Sequence, residues 1–477
     1  MWGVNAENGV INIITKKSAD TTGGQLYGAV GDREFYEGVL HLGAAKGPVA
    51  LRGTAGAYHD NGFGRGSGDN TKDFYEAYQV TGRVDYNINE RNDLIIGGGH
   101  KNNTIGAAIP QNDTVQYMNL LWERKLTDTS DLLLRWSENF YINNNMPSHE
   151  LHTRKDMVEV QHSMRFDAHN FVWGADYIKD SYETRLGTLV DFANPDSFSN
   201  DQGSLFAEDE MTLAKNVWFT LGGRVHYNEL SQFDWAARGA LTWAVRPKHF
   251  LRAALSRSFR RPIMYETFPN KYNAPGTKVV LRDNTSLGNE RVVTSELGYR
   301  SQFTDNLSLD IVGFYSWYSH LIGAVGDQYQ NTHYMTTYGF ETALDYKPYK
   351  WWLLRAGYSF ENQSKDDELN DRVYGRLSVW LPPKHKVFMT NRFYFDETTT
   401  LNTKIFWSDA LNSRLGNSVN QIAPYLRFDI RLAKKLWSES TEIAVGITNL
   451  TEHFHNELNN TADEVPRQLY VQLFYNF

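Results

Sequence analysis

The sequence predicts an all-β protein, a single transmembrane antiparallel β-barrel of about 22 strands. Three observations predict it. Apolar and polar residues alternate along many short segments. The links between those segments alternate between short and long. Aromatic residues make up 14% of the chain, yet its mean hydropathy is only −0.52. No stretch reaches the ~18 apolar residues a spanning helix needs. In a barrel only every second residue meets lipid, so the average reads as hydrophilic.

Composition narrows the function classes. At ~100–200 residues per soluble domain, 477 residues would suggest several domains. With only 13 prolines and no Gly/Ser-rich or single-sign run, nothing divides the chain. The net charge of −8 argues against nucleic acid as partner. The absence of cysteine excludes a disulfide framework and a thiolate metal site. At the N-terminus, Met1 to Val4 carries no basic segment, and Val10 to Ile14 is too short for a signal peptide. For a protein of the outer membrane, a fragment or a mature region is expected.

The strands follow from alternation. At the C-terminus Leu469, Val471, Leu473, Tyr475 and Phe477 share one face, and Gln468, Tyr470, Gln472, Phe474 and Asn476 the other. Leu307, Leu309, Ile311, Gly313, Tyr315 and Trp317 repeat the pattern, as do Val293, Leu297 and Tyr299 against Thr294, Glu296 and Arg300. Leu297, Leu309 and Leu473 are expected to face lipid, and Glu296, Arg300 and Gln472 the lumen. Short links are read at positions such as 87–91, 167–170, 304–306 and 396–398. Long polar links are read at 58–73, 142–152, 183–200, 260–290, 322–331, 362–383, 409–420 and 449–466. Short turns at one end and long loops at the other match a barrel with periplasmic turns and outer loops. The first pair is read as 24–31 and 34–44. No repeat of ~40–50 residues supports a propeller.

Several segments resemble the TonB-dependent receptor family. Trp2 to Lys16, with Gly3, Gly9 and the run Val10 to Ile14, is similar to the end of that family's plug domain. Ser258-Phe259-Arg260-Arg261-Pro262 followed by Tyr265-Glu266 resembles a family strand end. Leu287 with Glu290, then Glu296-Leu297-Gly298-Tyr299-Arg300, resembles the next landmark, with Asn289 where the family usually has proline. Tyr338 to Glu341, Pro383 to Lys386 and Thr448 to Thr451 follow in order. Phe477 is similar to the terminal aromatic read as an assembly signal.

The resemblance implies an organisation and a role. Residues 1–23 would be the C-terminal remnant of the plug and its linker, and residues 24–477 the barrel. The family's TonB box and most of its plug lie upstream of Met1, so coupling to the TonB complex is expected only in the full-length protein. The implied role is uptake of a scarce nutrient across the outer membrane of a Gram-negative bacterium, most often a ferric siderophore. The implied partners are outer-membrane lipid, the small ligand and the barrel-assembly machinery, with the receptor a monomer. The rival readings are a plugless passive channel, a barrel enzyme and a soluble carbohydrate-binding protein.

Candidate ligand contacts lie in the outer loops: Tyr58, Arg65, Phe74, Tyr75, Arg260, Arg261, Tyr265, Tyr272, Lys278, Arg282, Tyr329 and Tyr334. Arg and Lys among aromatics suit an anionic, aromatic iron chelate through charge-assisted hydrogen bonds and stacking. The plainer reading of each is a girdle aromatic or a loop charge. Met146, His149, His152, Met157, His453 and His455 suggest a soft-metal or haem contact. However, two histidines three apart in a loop fix no coordination geometry, so no metal ligand is assigned. No Gly-x-Ser-x-Gly, His-Glu-x-x-His or phosphate-loop pattern occurs, and no catalytic residue or cofactor is expected.

Overall fold

The computed structural model describes residues 9–62, 74–106, 110–145, 149–186, 197–268, 282–365, 379–415, 418–436, 440–452 and 465–477. Its strands are numbered β1 to β25 along the chain, and 22 of them form one antiparallel sheet. The sheet closes because β1 (Gly23–Gly31) pairs with β25 (Gln468–Asn476), from Gln25 opposite Asn476 to Gly31 opposite Tyr470. Phe477 completes the seam. Its N–H donates to the Gly24 carbonyl at 2.8 Å, and Gly24 N–H donates to the Phe477 carbonyl at 2.6 Å. Just before Gly24, Gly23 takes a φ of +95°, and a Cβ there would press on the Phe477 carbonyl, so this strand start favours glycine. Closure matters because an unpaired sheet edge has no water to bond in lipid.

The remaining three strands, β18 (Val379–Leu381), β21 (Leu411–Leu415) and β22 (Ser418–Ile422), form a separate small sheet within the long links. The short links stand where alternation placed them. Two of the long ones are much shorter than read. β15 (Leu307–Val325) and β16 (Gln328–Tyr349) run far past position 322 and meet at a two-residue turn, so the expected loop at 322–331 is a hairpin tip. Gly326 takes a φ of +64° there, which glycine adopts freely. Likewise β7 (Ser130–Asn145) and β8 (His149–Phe166) consume most of 142–152. A strand that leaves the membrane keeps its ladder but loses its apolar face, so its sequence reads as loop. β2 begins at Tyr36 and ends at Lys46, two residues later than read.

Side-chain parity assigns the faces. Leu297 is 67% exposed and Leu473 40%, on the outside. On the lumen side Gln472 accepts from Arg431 Nε at 2.9 Å and donates to Tyr27 at 3.0 Å, while Arg431 pairs with Glu442 at 2.6 Å. Arg238 lies 4.0 Å from Glu296, and Arg300 4.0 Å from Asp310. The lumen wall thus pairs many of its own charges.

The segment before β1 behaves in two ways. Ile11, Ile13 and Ile14 are exposed. Thr15 to Thr21 instead lies against the short-turn ends of the wall. Arg83 donates to Thr15 at 2.8 Å, and the buried Ser18 N–H donates to Asp85 at 2.5 Å.

Two outcomes test this fold. Leu297→Arg should cost about 2–4 kcal/mol in unfolding from vesicles, as a cation on the lipid face near mid-membrane does. Ala254→Arg, on the lumen side opposite Glu296, should cost little. At the short turn after β19 (His385–Tyr394), Asp396 accepts from the Thr398 N–H and hydroxyl, both at 2.7 Å, and from the Thr399 N–H at 2.6 Å. These bonds lower its carboxyl from 3.8 to about 2, with the Thr398 hydroxyl the largest influence. A depressed carboxylate contributes stability above its unfolded pKa and loses it as pH falls through the folded one. Amide exchange at Thr398 and Thr399 should therefore speed up between pH 3.8 and 2, and Asp396→Ala should abolish that step.

Candidate ligand site at the outer mouth

The long-link end carries two built regions. The first stands on β3 (Val49–Asp60), β4 (Tyr75–Asn89) and β5 (Asn92–Ile105), whose lumen faces converge near their outer ends. Tyr58 packs edge-on against Tyr75 at 5.7 Å and against Phe35 at 5.8 Å. Lys101 places its ammonium 5.7 Å from the Tyr75 ring centre. With Glu37, Gly56 and Gln79 these residues line a cavity of about 280 Å³ open to the lumen. An aromatic wall with a cation over one ring suits a flat, electron-rich anion. Phe74 lies beside this wall, stacked on His59 at 6.3 Å.

The second region is a lap joint in the barrel wall. β12 (Gln232–Arg246) and β13 (His249–Arg260) pair only as far up as Ala237 opposite Arg257. Above that level β12 stays with β11 (Val217–Asn228), and β13 stays with β14 (Glu290–Thr304). There the lipid-side residues of β13 and β14 meet the lumen-side residues of β11 and β12. Phe259, fully buried, packs on His226 at 5.7 Å. Asp234, 6% exposed, accepts from Arg257 at 2.7 Å, Arg291 at 3.2 Å and Asn289 at 3.3 Å. It also accepts the Trp235 N–H at 2.8 Å, while Arg257 donates to the Trp235 carbonyl. Side chains thereby replace the ladder bonds that the divergence removes.

The joint carries the long link after β13 inward. Arg260 is held by a fork to Glu266 at 2.9 and 3.0 Å and by Glu290 at 2.5 Å. The other Glu290 oxygen accepts the Ile322 N–H at 2.6 Å. Glu266 also accepts the Ile263 N–H at 2.8 Å, at the start of the one-turn helix α1 (Met264–Thr267). Phe268 then packs on Phe198 at 5.4 Å, and Phe198 on Tyr182 at 5.6 Å. Burial, the larger influence, pulls the Arg261 guanidinium below its ordinary range, while Asp180 at 3.9 Å opposes it. Where the link re-emerges, Arg282 pairs with Asp327 at 2.9 Å and Asn284 donates to the Tyr329 carbonyl at 2.7 Å. Asn331 donates to the Gly288 carbonyl at 2.9 Å. The β15–β16 hairpin is thus strapped to the link.

The sequence candidates divide accordingly. Tyr58 and Tyr75 come together in the aromatic cavity. Arg260 and Arg261 hold the start of the link, and Arg282 and the buried Tyr329 lie in the strap. Tyr334 is exposed on the hairpin and packs against His320 at 6.1 Å. Arg65, Tyr272, Lys278, Met146, His453 and His455 lie outside the described residues, as do the side chains of Tyr265 and His149. His152 binds its neighbour Glu150 at 2.6 Å. Sequence reading missed Lys101, which sits within a strand rather than a loop; its place among the lumen positions of β5 was the available signal. Nothing in the sequence marks Asp234, whose partners sit on strands that had been expected simply to pair.

The description "TonB dependent receptor-like, beta-barrel" matches residues 17–450. The chain belongs to the TonB-dependent receptor β-barrel family. No curated protein matches it in sequence. Among solved structures this receptor barrel is similar to a mutant of the ferric enterobactin receptor PfeA from Pseudomonas aeruginosa, at a TM-score of 0.84 and 15% identity over 100% of this chain and 83% of that one. It is similar to the siderophore receptor PirA from Acinetobacter baumannii, at 0.83 and 15% over 100% and 83%. It is also similar to the copper transporter OprC, at 0.79 and 13% over 95% and 80%. Family and fold are those of transport receptors rather than enzymes.

Breaking the joint should loosen the mouth of the receptor barrel. Asp234→Asn leaves Arg257 and Arg291 sharing one neutral oxygen, and removing one member of a buried ion cluster costs roughly 3–5 kcal/mol. Limited proteolysis should then cut within 261–289 faster than in the wild type, while the barrel stays folded by its heat-dependent gel mobility.

Proposed function

We propose that this receptor barrel serves in uptake of a ferric siderophore across the outer membrane of a Gram-negative bacterium. The observation that carries the reading is the Tyr58–Tyr75 cavity with Lys101 over one ring, at the outer end of the lumen. Such a wall stacks on aromatic metal-chelating groups and balances the charge an anionic ferric chelate brings. Tyr58 and Arg282, with Arg65, Tyr265 and Tyr272, are its proposed contacts, while Arg260, Arg261 and Tyr329 belong to the frame that holds the start of the link and the β15–β16 hairpin. Residues 1–23 enter the reading as the tail of a plug domain and its linker, with energy from the TonB complex acting through the full-length protein. Phe477 serves as the signal to the barrel-assembly machinery, and the receptor works as a monomer. The siderophore receptors among its structural neighbours support this choice of cargo.

A ferric tris-catecholate chelate should quench the tryptophan fluorescence of the purified chain on binding. Tyr58→Ala and Lys101→Ala should each weaken binding about tenfold, equivalent to ~1.4 kcal/mol. Equal affinity in wild type and both variants would sink the reading.

A further inference from the structure

The lumen wall pairs many of its charges, but on two adjacent strands several cations are left without such a pair. Across β17 (Trp352–Lys365), β19, β20 (Thr399–Ser408) and β23 (Tyr425–Leu436), cations recur at lumen positions. On the flanking strands three of them have an acid: Arg355 with Asp345 at 2.7 Å, Arg427 with Asp429 (which stands opposite Lys404 in the register) at 2.9 Å, and Arg431 with Glu442 at 2.6 Å. On β19 and β20 Lys386, Arg392 and Lys404 form no ion pair with any carboxylate among the described residues. Arg392 donates only to the Asn402 side chain, at 2.8 Å.

The register places these groups in order. From the outer end downward, the lumen positions pair as Lys386 with Ser408, Phe388 with Phe406, Thr390 with Lys404, and Arg392 with Asn402. Six residues of strand descend about 20 Å. Between the upper and lower cations lie two phenylalanine side chains. The Phe388 ring covers Gly357, where a Cβ would collide with it, and is 46% exposed. A cavity of about 530 Å³ adjoins Lys386, Phe388 and Phe406, with Arg252, Asp310 and Glu341 on its far side. The opposite parity on these strands, with Val387, Met389, Leu401, Ile405 and Trp407, faces lipid. The low-dielectric wall behind the cations therefore strengthens their field in the lumen.

We propose that Lys386, Phe388, Arg392, Lys404 and Phe406 form an anion-binding track on the inner wall, which takes an aromatic anion in steps from the outer mouth toward the periplasm. Rings of Lys and Arg select anions in pores by the same electrostatics. Several weak sites in sequence also let a ligand leave as readily as it enters. The track rests on the uptake reading above and supplies the path that follows capture.

The test uses the purified 477-residue chain in detergent micelles and two probes of equal charge, salicylate and cyclohexanecarboxylate, followed by saturation-transfer NMR. Wild type should bind salicylate several-fold tighter than cyclohexanecarboxylate. The K386Q/R392Q/K404Q variant should lose at least tenfold in salicylate affinity, and K386R/K404R should keep it. F388L/F406L should bring the two probes to similar affinities. Heat-dependent gel mobility reports folding; if the triple variant does not fold, the phenylalanine pair and the arginine swap carry the test. A triple variant that binds salicylate like wild type overturns the proposal. So does a wild type that binds no salicylate, the result expected if the strip seats an acidic protein segment instead. Because Tyr58 and Lys101 are untouched, failure here with intact chelate binding at the mouth leaves the uptake reading standing, and the converse result separates them equally.

Discussion

The rest of this structure depends on one constraint: in lipid, every backbone N–H and C=O must find a partner within the protein. A single curved sheet meets it only by closing on itself. The last strand accordingly pairs with the first, and the Phe477–Gly24 exchange of hydrogen bonds completes the seam. Once the ring is closed, the parity of each strand is set. One side-chain row meets lipid, the next meets the lumen, and a one-residue slip would exchange them. The polar lumen and the short periplasmic turns follow from the same geometry.

The place where this constraint is locally broken is where the outer mouth is built. Above Ala237 and Arg257 the ladder between β12 and β13 ends. The bonds it would have made pass to Asp234 and Arg257, which satisfy the N–H and C=O of Trp235. The divergence lets β13 and β14 lean over the inner face of β11 and β12 and bury Phe259. It also carries the link after Arg260 into the lumen mouth. Arg260, Glu266 and Glu290 then hold that link, so a charge with the look of a ligand contact, Arg260, serves to position it. A buried carboxylate held by two guanidiniums is costly to dissociate, which makes the joint firm.

Strand length adds a second consequence. A membrane strand needs about 9–11 residues, yet β15 and β16 have 19 and 22. Their outer halves stand in water, where the hairpin's own ladder and its strap to Arg282, Asn284 and Gly288 keep them ordered. Among the described residues the mouth is therefore a rim of extended sheet. The aromatic cavity at Tyr58 and the cationic strip at Lys386 both belong to the wall below it.

Much of the fold was legible in the chain because it rests on local signals. The alternation in Leu469 to Phe477, the turn at Asp396 and the landmarks from Ser258 to Arg300 each depend on near neighbours, and together they set the strand count, the faces and the family. The length of the hairpin around Gly326 was not legible, because a strand in water carries no apolar face to betray it. The candidate site was legible only in part. Tyr58 was found as an aromatic near a loop, but its partners Tyr75 and Lys101 come from two further strands, and only their register brings the three together. The same holds for Lys386, Arg392 and Lys404, whose sequence positions say nothing of one lumen face shared across two strands. Sequence by itself determined that the strands form, which way each side chain faces and that the sheet closes, since these follow from period-two patterning against lipid. Tertiary structure alone decided which charges are paired, where the ladder gives way and what lines the mouth, because those depend on contacts between residues far apart in the chain.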